Sequence, residues 1–310
     1  MVGETGLAPY GISVATIMIL AGIIVLGLFA TWSVRQSRRG RTPLFHVQIF
    51  QSTTFTSGVA LGFLFQLAVG GLLFVLPVFL QSGIGLDAMK TGLTLLPYTL
   101  GIFIFALGAS RLPGSLPAHR LVQGGLLVML LGAFWVQATA SLVLEPMVLE
   151  PALFVFGAGA GVVLARLPEL TLSTITPSEV GEASGGDSTG RELGVAFGVA
   201  VLGSIFLAIM FTSVVDKYDA YHNITGITAE QKEQADIELE DWAAKTSDQE
   251  WHKFLSGLPE ATSKAYSTIV AESFLSGYRI TLKIITGVIA VMICVSFLFR
   301  KSGSNNFAEG

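Results

Sequence analysis

Five charged side chains lie close together in the sequence between two strongly apolar segments: Glu179, Glu182, Asp187, Arg191 and Glu192. Charged groups are costly in hydrocarbon unless they pair with one another or reach water. We therefore expect this stretch to sit at a water boundary, where Arg191 is near enough in sequence to pair with Glu182 or Glu179. These side chains can form ion pairs, and ion pairs that form and break could gate a path between the two apolar segments.

Small residues follow these charges. Gly194 and Gly198 are spaced so that they share one face of a helix, and removing side-chain bulk from a face lets a second helix approach closely. The whole stretch from Thr176 to Gly203 is thus predicted to be a packed hinge between two membrane spans, around which the rest of the chain is organised.

An amide and two aromatic rings share a face of an earlier apolar segment. Gln66 lies at helical spacing with Phe63, Gly70 and Phe74. An amide that points at lipid is costly, so Gln66 should face another helix or a water-filled path. The residues alone leave open whether Gln66 makes a hydrogen bond between helices or contacts a ligand.

A glycine-rich segment from Phe154 to Gly161 contains a Gly-x-x-x-Gly pair, Gly157 and Gly161. This pair predicts another close helix contact. A phosphate-binding loop is disfavoured because no Lys-Ser or Lys-Thr pair follows and no strand precedes the segment.

Other site chemistry is poorly represented. The chain has one cysteine, Cys294, and its four histidines are scattered without helical pairing, so neither a metal site nor a cofactor site is expected. No acid pair, Ser-His pair or His-Glu pair falls within an apolar span, which argues against an enzyme. The formal net charge of −4 gives no reason to expect a nucleic-acid partner.

The elements that must position these residues are membrane helices. The chain has 310 residues, of which 52% are hydrophobic and 13% charged, too few charges to coat a water-soluble surface. About seven apolar runs have the roughly 20-residue length that crosses a bilayer. They are Ile12 to Trp32, Phe55 to Leu80, Thr91 to Arg111, Leu121 to Ala140, Val148 to Leu167, Val195 to Val215 and Ile280 to Phe299.

Basic residues mark every second connection and set the expected orientation. They are Arg35, Arg38, Arg39, Arg41, Arg111, Arg120, Arg166, Arg191, Arg300 and Lys301. By the positive-inside rule the N-terminus is outside and the C-terminus is cytoplasmic. Residues 216–275 are acidic and alternate apolar with charged positions, which predicts an external helical cap containing Trp242 and Trp251.

Several short motifs along the chain are weak signals one by one, but their order and spacing together are specific. They are Arg38-Arg39-Gly40-Arg41-Thr42-Pro43-Leu44-Phe45, Leu76-Pro77-Val78-Phe79-Leu80-Gln81, Gly92-Leu93-Thr94-Leu95-Leu96-Pro97, Gly181-Glu182-Ala183-Ser184-Gly185 and Arg191-Glu192-Leu193-Gly194. With these motifs the chain resembles the C-terminal half of a major facilitator superfamily transporter of the fourteen-span drug:proton antiporter group. The resemblance covers almost the whole chain outside the acidic cap.

The resemblance implies an all-α integral membrane protein in which a six-helix bundle follows one extra central helix. Residues 1–45 would hold an outside tail, that extra helix and a basic inner loop, residues 46–215 the bundle helices, and residues 276–310 the last span and a cytoplasmic tail. By this resemblance, we expect that the family's N-terminal bundle is not part of this sequence. The family's inner-loop pattern is reduced to Arg111 and Arg120 with no Asp, which puts a gating latch of that type in doubt.

The same resemblance places Phe63, Gln66, Gly70, Phe74, Phe154 and Gly157 at cavity-lining positions. It implies efflux of drugs or other small amphipathic molecules through the cell membrane, coupled to protons. None of the six bundle spans carries an acid near its centre, so the coupling acid is expected in the missing half. The expected partners are the lipid bilayer, a small-molecule substrate, a proton, and either the missing half or a second copy. A seven-span receptor or signalling subunit remains the alternative.

The predicted orientation is testable by labelling with a membrane-impermeant thiol reagent. In a Cys294→Ser background, cysteines placed at Ser37 and Ser302 should react only from the cytoplasmic side, because the basic connections fall on that face. A cysteine at Ser247 should react only from outside. Labelling of the Ser247 position from inside would overturn the orientation.

Overall fold

The computed structural model describes residues 47–112, 116–142, 146–222 and 260–297, together with scattered residues between 17 and 35. The chain divides into two units, residues 1–51 and residues 52–310. In the first unit, the described residues between 17 and 35 are helical, as expected for the first predicted span, and a 3-10 helix covers Val47–Gln51.

The described part of the second unit is built from α-helices. They are α1 (Thr53–Val78), α2 (Ala88–Arg111), α3 (Ala118–Ala138), α4 (Pro146–Leu172), α5 (Val180–Phe197), α6 (Gly203–His222) and α7 (Glu260–Ser296). A π-helical turn, Phe79–Gly83, extends α1, and another, Gly198–Leu202, joins α5 to α6. Among the described residues, six helical stretches are long and apolar enough to cross a membrane, with α5 and α6 forming one of them. The predicted all-α membrane architecture is confirmed.

Side chains next to the helices fix where α1 and α2 begin. The hydroxyl of Ser52 accepts a hydrogen bond from the backbone N–H of Phe55 at 3.3 Å, at the start of α1. The carboxylate of Asp87 accepts one from the backbone N–H of Lys90 at 2.8 Å, at the start of α2. This bond to Lys90 stabilises the charged form and lowers the pKa of the exposed Asp87 carboxyl.

Successive spans alternate in direction. Helices α1 and α5 are parallel, since Gly62 lies beside Arg191 and Gly71 lies beside Leu202 further along. Helices α3 and α7 are antiparallel. The amide of Gln123 at the start of α3 donates to the Ser296 carbonyl at 3.3 Å, and the carbonyl of Ala140 after α3 accepts from Arg279 at 2.7 Å.

The bundle has two halves in chain order, α1 to α3 and α4 to α7, and the first helix of each half packs against the other half. Helix α1 packs on α5, α6 and α7, whereas α4 packs on α2 and α3. Each half therefore contributes its first helix to the other half, and α1 and α4 meet in the middle. Three-plus-three repeats of this kind are the plan on which many transporters are built.

The structure corrects the predicted hinge. Residues 180–203 are helical, so the turn is confined to the few residues before Val180. The charges and glycines of this stretch lie within the helical rod formed by α5, the π-helical turn and α6. Their low helix propensity and polarity hid the helix in the sequence, but the packing of α5 on α1 stabilises it.

The last span also begins earlier than predicted. Helix α7 starts at Glu260, and its apolar stretch starts at Ser267 rather than Ile280. Two of its polar residues have partners in the bundle: the Ser273 hydroxyl donates to the Ile269 carbonyl within α7, and Glu272 pairs with Lys217 of α6 at 2.8 Å. Helices thus occupy both ends of the predicted external cap, whereas Trp242 and Trp251 lie outside the described residues.

Glycine contacts should control the stability of this bundle. A Cβ at Gly198 would fall 3.0 Å from the Gly71 backbone nitrogen and still closer to the Leu67 carbonyl oxygen, whereas a Cβ at Gly185 meets nothing within 4 Å. Gly198→Leu should therefore lower the free energy of unfolding by about 1 to 3 kcal/mol. Gly185→Leu, on the same rod, should have little effect. Thermal unfolding of the purified variants in detergent measures both, and equal midpoints would contradict the packing argument.

Candidate functional site

The predicted substrate-path residues of α1 lie along its contact with α5 and α6, which we call the α1–α5 seam. Gly194 lies against the Phe63 carbonyl and the Gln66 Cβ, and a Cβ on Gly70 would be 3.1 Å from the Val195 carbonyl oxygen. At the far end Gly203 lies against the ring of Phe74; a Cβ there would be 2.8 Å from it. Gly70 is buried, while Phe63, Gln66 and Phe74 keep part of their surface exposed.

The predicted residues of α4 lie along a matching contact with α2, the α2–α4 seam. Gly157 is buried against the Tyr98 backbone, and a Cβ on Gly101 would be 2.9 Å from the Ala158 backbone nitrogen. Phe154 is only partly buried. Gly70 and Gly157 thus bring backbones together, and the partly exposed rings and the Gln66 amide are the groups left to meet a ligand.

An aromatic pair spans each seam. The rings of Phe63 and Phe197 lie 5.8 Å apart at 61° on the α1–α5 seam. Those of Phe105 and Phe154 lie 6.1 Å apart at 74° on the α2–α4 seam. Both pairs are edge-to-face, a favoured geometry, and Phe197 and Phe105 remain 51% and 40% exposed. The structure therefore contains two half-exposed aromatic patches. The sequence predicts one ring of each pair, Phe63 and Phe154, as part of the substrate path.

The bundle is open on one side. Helices α3 and α7 contact each other along one side of α1 and α4, but no comparable contact joins α2 and α5 among the described residues. A face formed by α1 and α4 and flanked by the two aromatic pairs is left without a cover there. Apolar surfaces with a few polar groups are typical of ligand sites between helices.

Arg191 does not pair with the acids expected from the sequence. It forms a short ion pair with Asp187, one helical turn earlier, and its other terminal nitrogen donates to Ser188 at 3.2 Å. The reason is that this stretch is helical, which brings residues four apart onto one face. Glu182, also predicted to take part in gating, is partly buried.

An arginine joins the C-terminal ends of α2 and α4, which the orientation predicted from the sequence puts on the inner side. Arg166 of α4 donates to the carbonyl oxygens of Ala109 and Leu112 at 2.5 and 3.1 Å, and it pairs with Glu169 at 2.6 Å. The guanidinium thus neutralises the carboxyl end of α2, where carbonyls lack helical partners. Arg111, the predicted gating residue, is exposed instead. We call these contacts of Arg166 the inner latch.

Two residues of this site were missed from the sequence. In the sequence, Arg166 is only one of the basic residues that indicate the orientation, and Asp187 is only one charge in a stretch predicted to be a polar turn. Asp187 is 2% exposed and faces α1 at Gly62. Its spacing of four from Arg191 was the available signal, but that spacing carries meaning only within a helix. Among the described residues no cluster of His, Cys, Asp and Glu could hold a metal ion.

Several known proteins resemble this chain along most of its length. A probable actinorhodin transporter of Streptomyces coelicolor is 26% identical over 304 residues, which cover 91% of this chain and 53% of that protein. The multidrug efflux pump LfrA of Mycolicibacterium smegmatis is 27% identical over 299 residues, covering 94% and 54%. The chain therefore spans about half the length of these curated relatives.

A third relative and one solved structure complete the comparison. The multidrug resistance protein Stp of Mycobacterium tuberculosis is 31% identical over 200 residues, covering 63% of this chain and 36% of that protein. A transporter structure, FucP in the outward conformation, shares 19% identity at a TM-score of 0.48 and covers 79% of this chain and 49% of its own. No protein-family model matches the chain.

The inner latch predicts unequal roles for two neighbouring arginines. Arg166→Ala removes charged hydrogen bonds to the end of α2, each of which contributes about 1.5 to 3 kcal/mol when partly buried. We expect a clear drop in the thermal unfolding midpoint of this variant. Arg111→Ala, at the same end of α2 but exposed, should leave the midpoint nearly unchanged. If both variants melt together, the latch contributes nothing to stability.

Proposed function

We propose that this chain is the C-terminal half of a proton-coupled exporter of small amphipathic molecules, of the major facilitator superfamily, whose members are transporters and not enzymes. The names of its relatives, which include a multidrug efflux pump and an actinorhodin transporter, support export of this kind. Because the chain spans about half of those proteins, we assign it half of the transport pathway.

The observation that carries this proposal is the pair of half-exposed aromatic patches beside the open face. Phe63 with Phe197 and Phe105 with Phe154 offer ring surface at two separate places, and Gln66 follows Phe63 by one helical turn on α1. Flat apolar molecules with a polar group fit such a surface, since the rings supply stacking and the amide supplies a hydrogen bond. The surface is adaptable because no rigid array of charges defines one ligand.

The open face needs a second wall. Transporters of this plan hold substrate near the membrane midplane between two helical bundles that rock against each other. We infer that a further six-helix bundle, or a second copy of this chain, covers the face between α2 and α5. A single bundle leaves a bound substrate exposed on one side and cannot alternate its access.

The chain is a multi-pass membrane protein, and the cell membrane is its proposed location. The basic connections support a cytoplasmic position for the inner latch and for the beginning of α5. The extensions of α6 and α7 joined by Lys217 and Glu272 would then lie outside. The similar proteins are transporters, and none of them supports the alternative of a seven-span receptor.

The proposed site is tested by removing one aromatic ring from a patch. In the cells that produce this protein, Phe197→Ala introduced in the gene should weaken efflux of ethidium, a flat cationic probe, by about threefold to tenfold in apparent affinity. Phe134→Ala is the matched control because Phe134 is also exposed, at 55%, but lies on α3, away from both patches.

The outcome separates the aromatic patches from general loss of apolar surface. Equal efflux by both variants, at equal amounts of folded protein in the membrane, would refute the proposed path. The purified 310-residue chain alone, placed in vesicles with an imposed proton gradient, should not move ethidium. Movement by a single copy would refute the need for a second wall.

A further inference from the structure

A buried carboxylate lies inside the span formed by α5 and α6. Asp187 is 2% exposed, and one of its oxygens forms the ion pair with Arg191. Its other oxygen, Oδ1, is fully buried and has no hydrogen-bond partner in the described part of the chain. Buried polar atoms are nearly always partnered, so an orphaned carboxylate oxygen needs an explanation.

The surroundings of Asp187 contain few other charges. Helix α1 faces it with Gly62, where a Cβ would be 3.7 Å from Oδ1, and residues 53–78 contain no Asp, Glu, His, Lys or Arg. On α5, Glu182 and Glu192 lie about one and a half turns away on either side. The neighbouring helix α4 brings Arg166 and Glu169, which pair with each other. Within the part of the chain that the structure describes, Arg191 is therefore the charged partner of this carboxylate.

The missing side chain of Gly62 makes the arrangement possible. A Cβ at this position would lie 3.3 Å from Cγ of Arg191, so the guanidinium stem and the carboxylate pass across the bare backbone of α1. Arg191 is 24% exposed on its side chain, whereas Asp187 is only 3% exposed. The cation thus keeps some access to the helix surface, and the anion has almost none.

Two physical effects oppose each other at this carboxylate. Burial in a low-dielectric environment favours the neutral acid, while the guanidinium favours the anion. Protonation of the carboxyl group removes its buried negative charge and forms an O–H bond on the oxygen that lacks a hydrogen-bond partner. The proton and Arg191 therefore compete for the same group, and a modest change around the pair shifts the balance between them.

We propose that Asp187 is a proton-binding carboxylate of this half, and that its protonation releases Arg191 from the pair. The step forms an O–H bond on Asp187 with a proton from water and breaks the ion pair, leaving Arg191 as a cation that turns to the exposed side of the seam. This inference rests on the proposed function for its role in transport, and it replaces the sequence expectation that the coupling acid lies outside this chain.

The protonation itself is measurable without transport. Infrared spectra of the purified chain in lipid, recorded from about pH 4 to about pH 9, report the carboxylic-acid C=O band as each acid gains its proton. Asp187→Asn should remove one component of the pH-dependent band. Glu192→Gln, an exposed acid on the same helix, should leave that component in place.

A second variant keeps the test decisive if Asp187→Asn does not fold. Arg191→Gln removes the competing cation, so the Asp187 component should shift its midpoint to more alkaline pH. An unchanged midpoint in Arg191→Gln, or a wild-type spectrum indistinguishable from that of Asp187→Asn, would overturn the proposal. Since no substrate is moved in this experiment, failure here leaves the exporter assignment standing, and failure of ethidium efflux leaves the proton site standing.

Discussion

The bundle depends on backbone-to-backbone approach between parallel helices. Gly194 and Gly198 bring α5 and the π-helical turn that follows it onto the carbonyls of α1, and Gly157 and Gly161 bring α4 onto those of α2. Helix association in a membrane has little hydrophobic driving force, so close van der Waals contact of this kind must supply it. The aromatic pairs, the inner latch and the Asp187–Arg191 pair all sit beside these two seams and take their geometry from them.

The two seams are counterparts of each other. The first helix of each half of the bundle, α1 or α4, carries a seam with the second helix of the other half and also packs on its third helix. Their polar features differ, however. The α2–α4 seam ends at Arg166, which hydrogen-bonds to the carbonyls at the end of α2, whereas the α1–α5 seam encloses a buried acid, Asp187. The two seams therefore share one architecture but differ in their charged groups. Arg166 holds helix ends together at the α2–α4 seam, and the acid Asp187 is buried at the α1–α5 seam.

Much of this fold was predictable from the sequence because apolar length and glycine spacing are local signals. The spans from Thr53 to Leu172 were predicted within a few residues of their observed ends. The beginning of α5 was not predicted. Glycines and charges in this stretch favour a turn, and the packing on α1 that stabilises the helix is not visible in the sequence. Asp187 was missed for the same reason: burial depends on which helix covers it, and Gly62, which faces it, is far away in sequence.

Helices α3 and α7 differ from the seam-forming pairs in how they are held along their length. Gln123 donates to Ser296 at one end, and Arg279 donates to Ala140 at the other. Sliding these two helices by one turn would break hydrogen bonds at both ends, whereas among the described residues the α2–α4 seam has such bonds only at its Arg166 end. Axial slip of α3 against α7 is thus opposed at both ends of their contact, so these two helices move along their axes only as one piece.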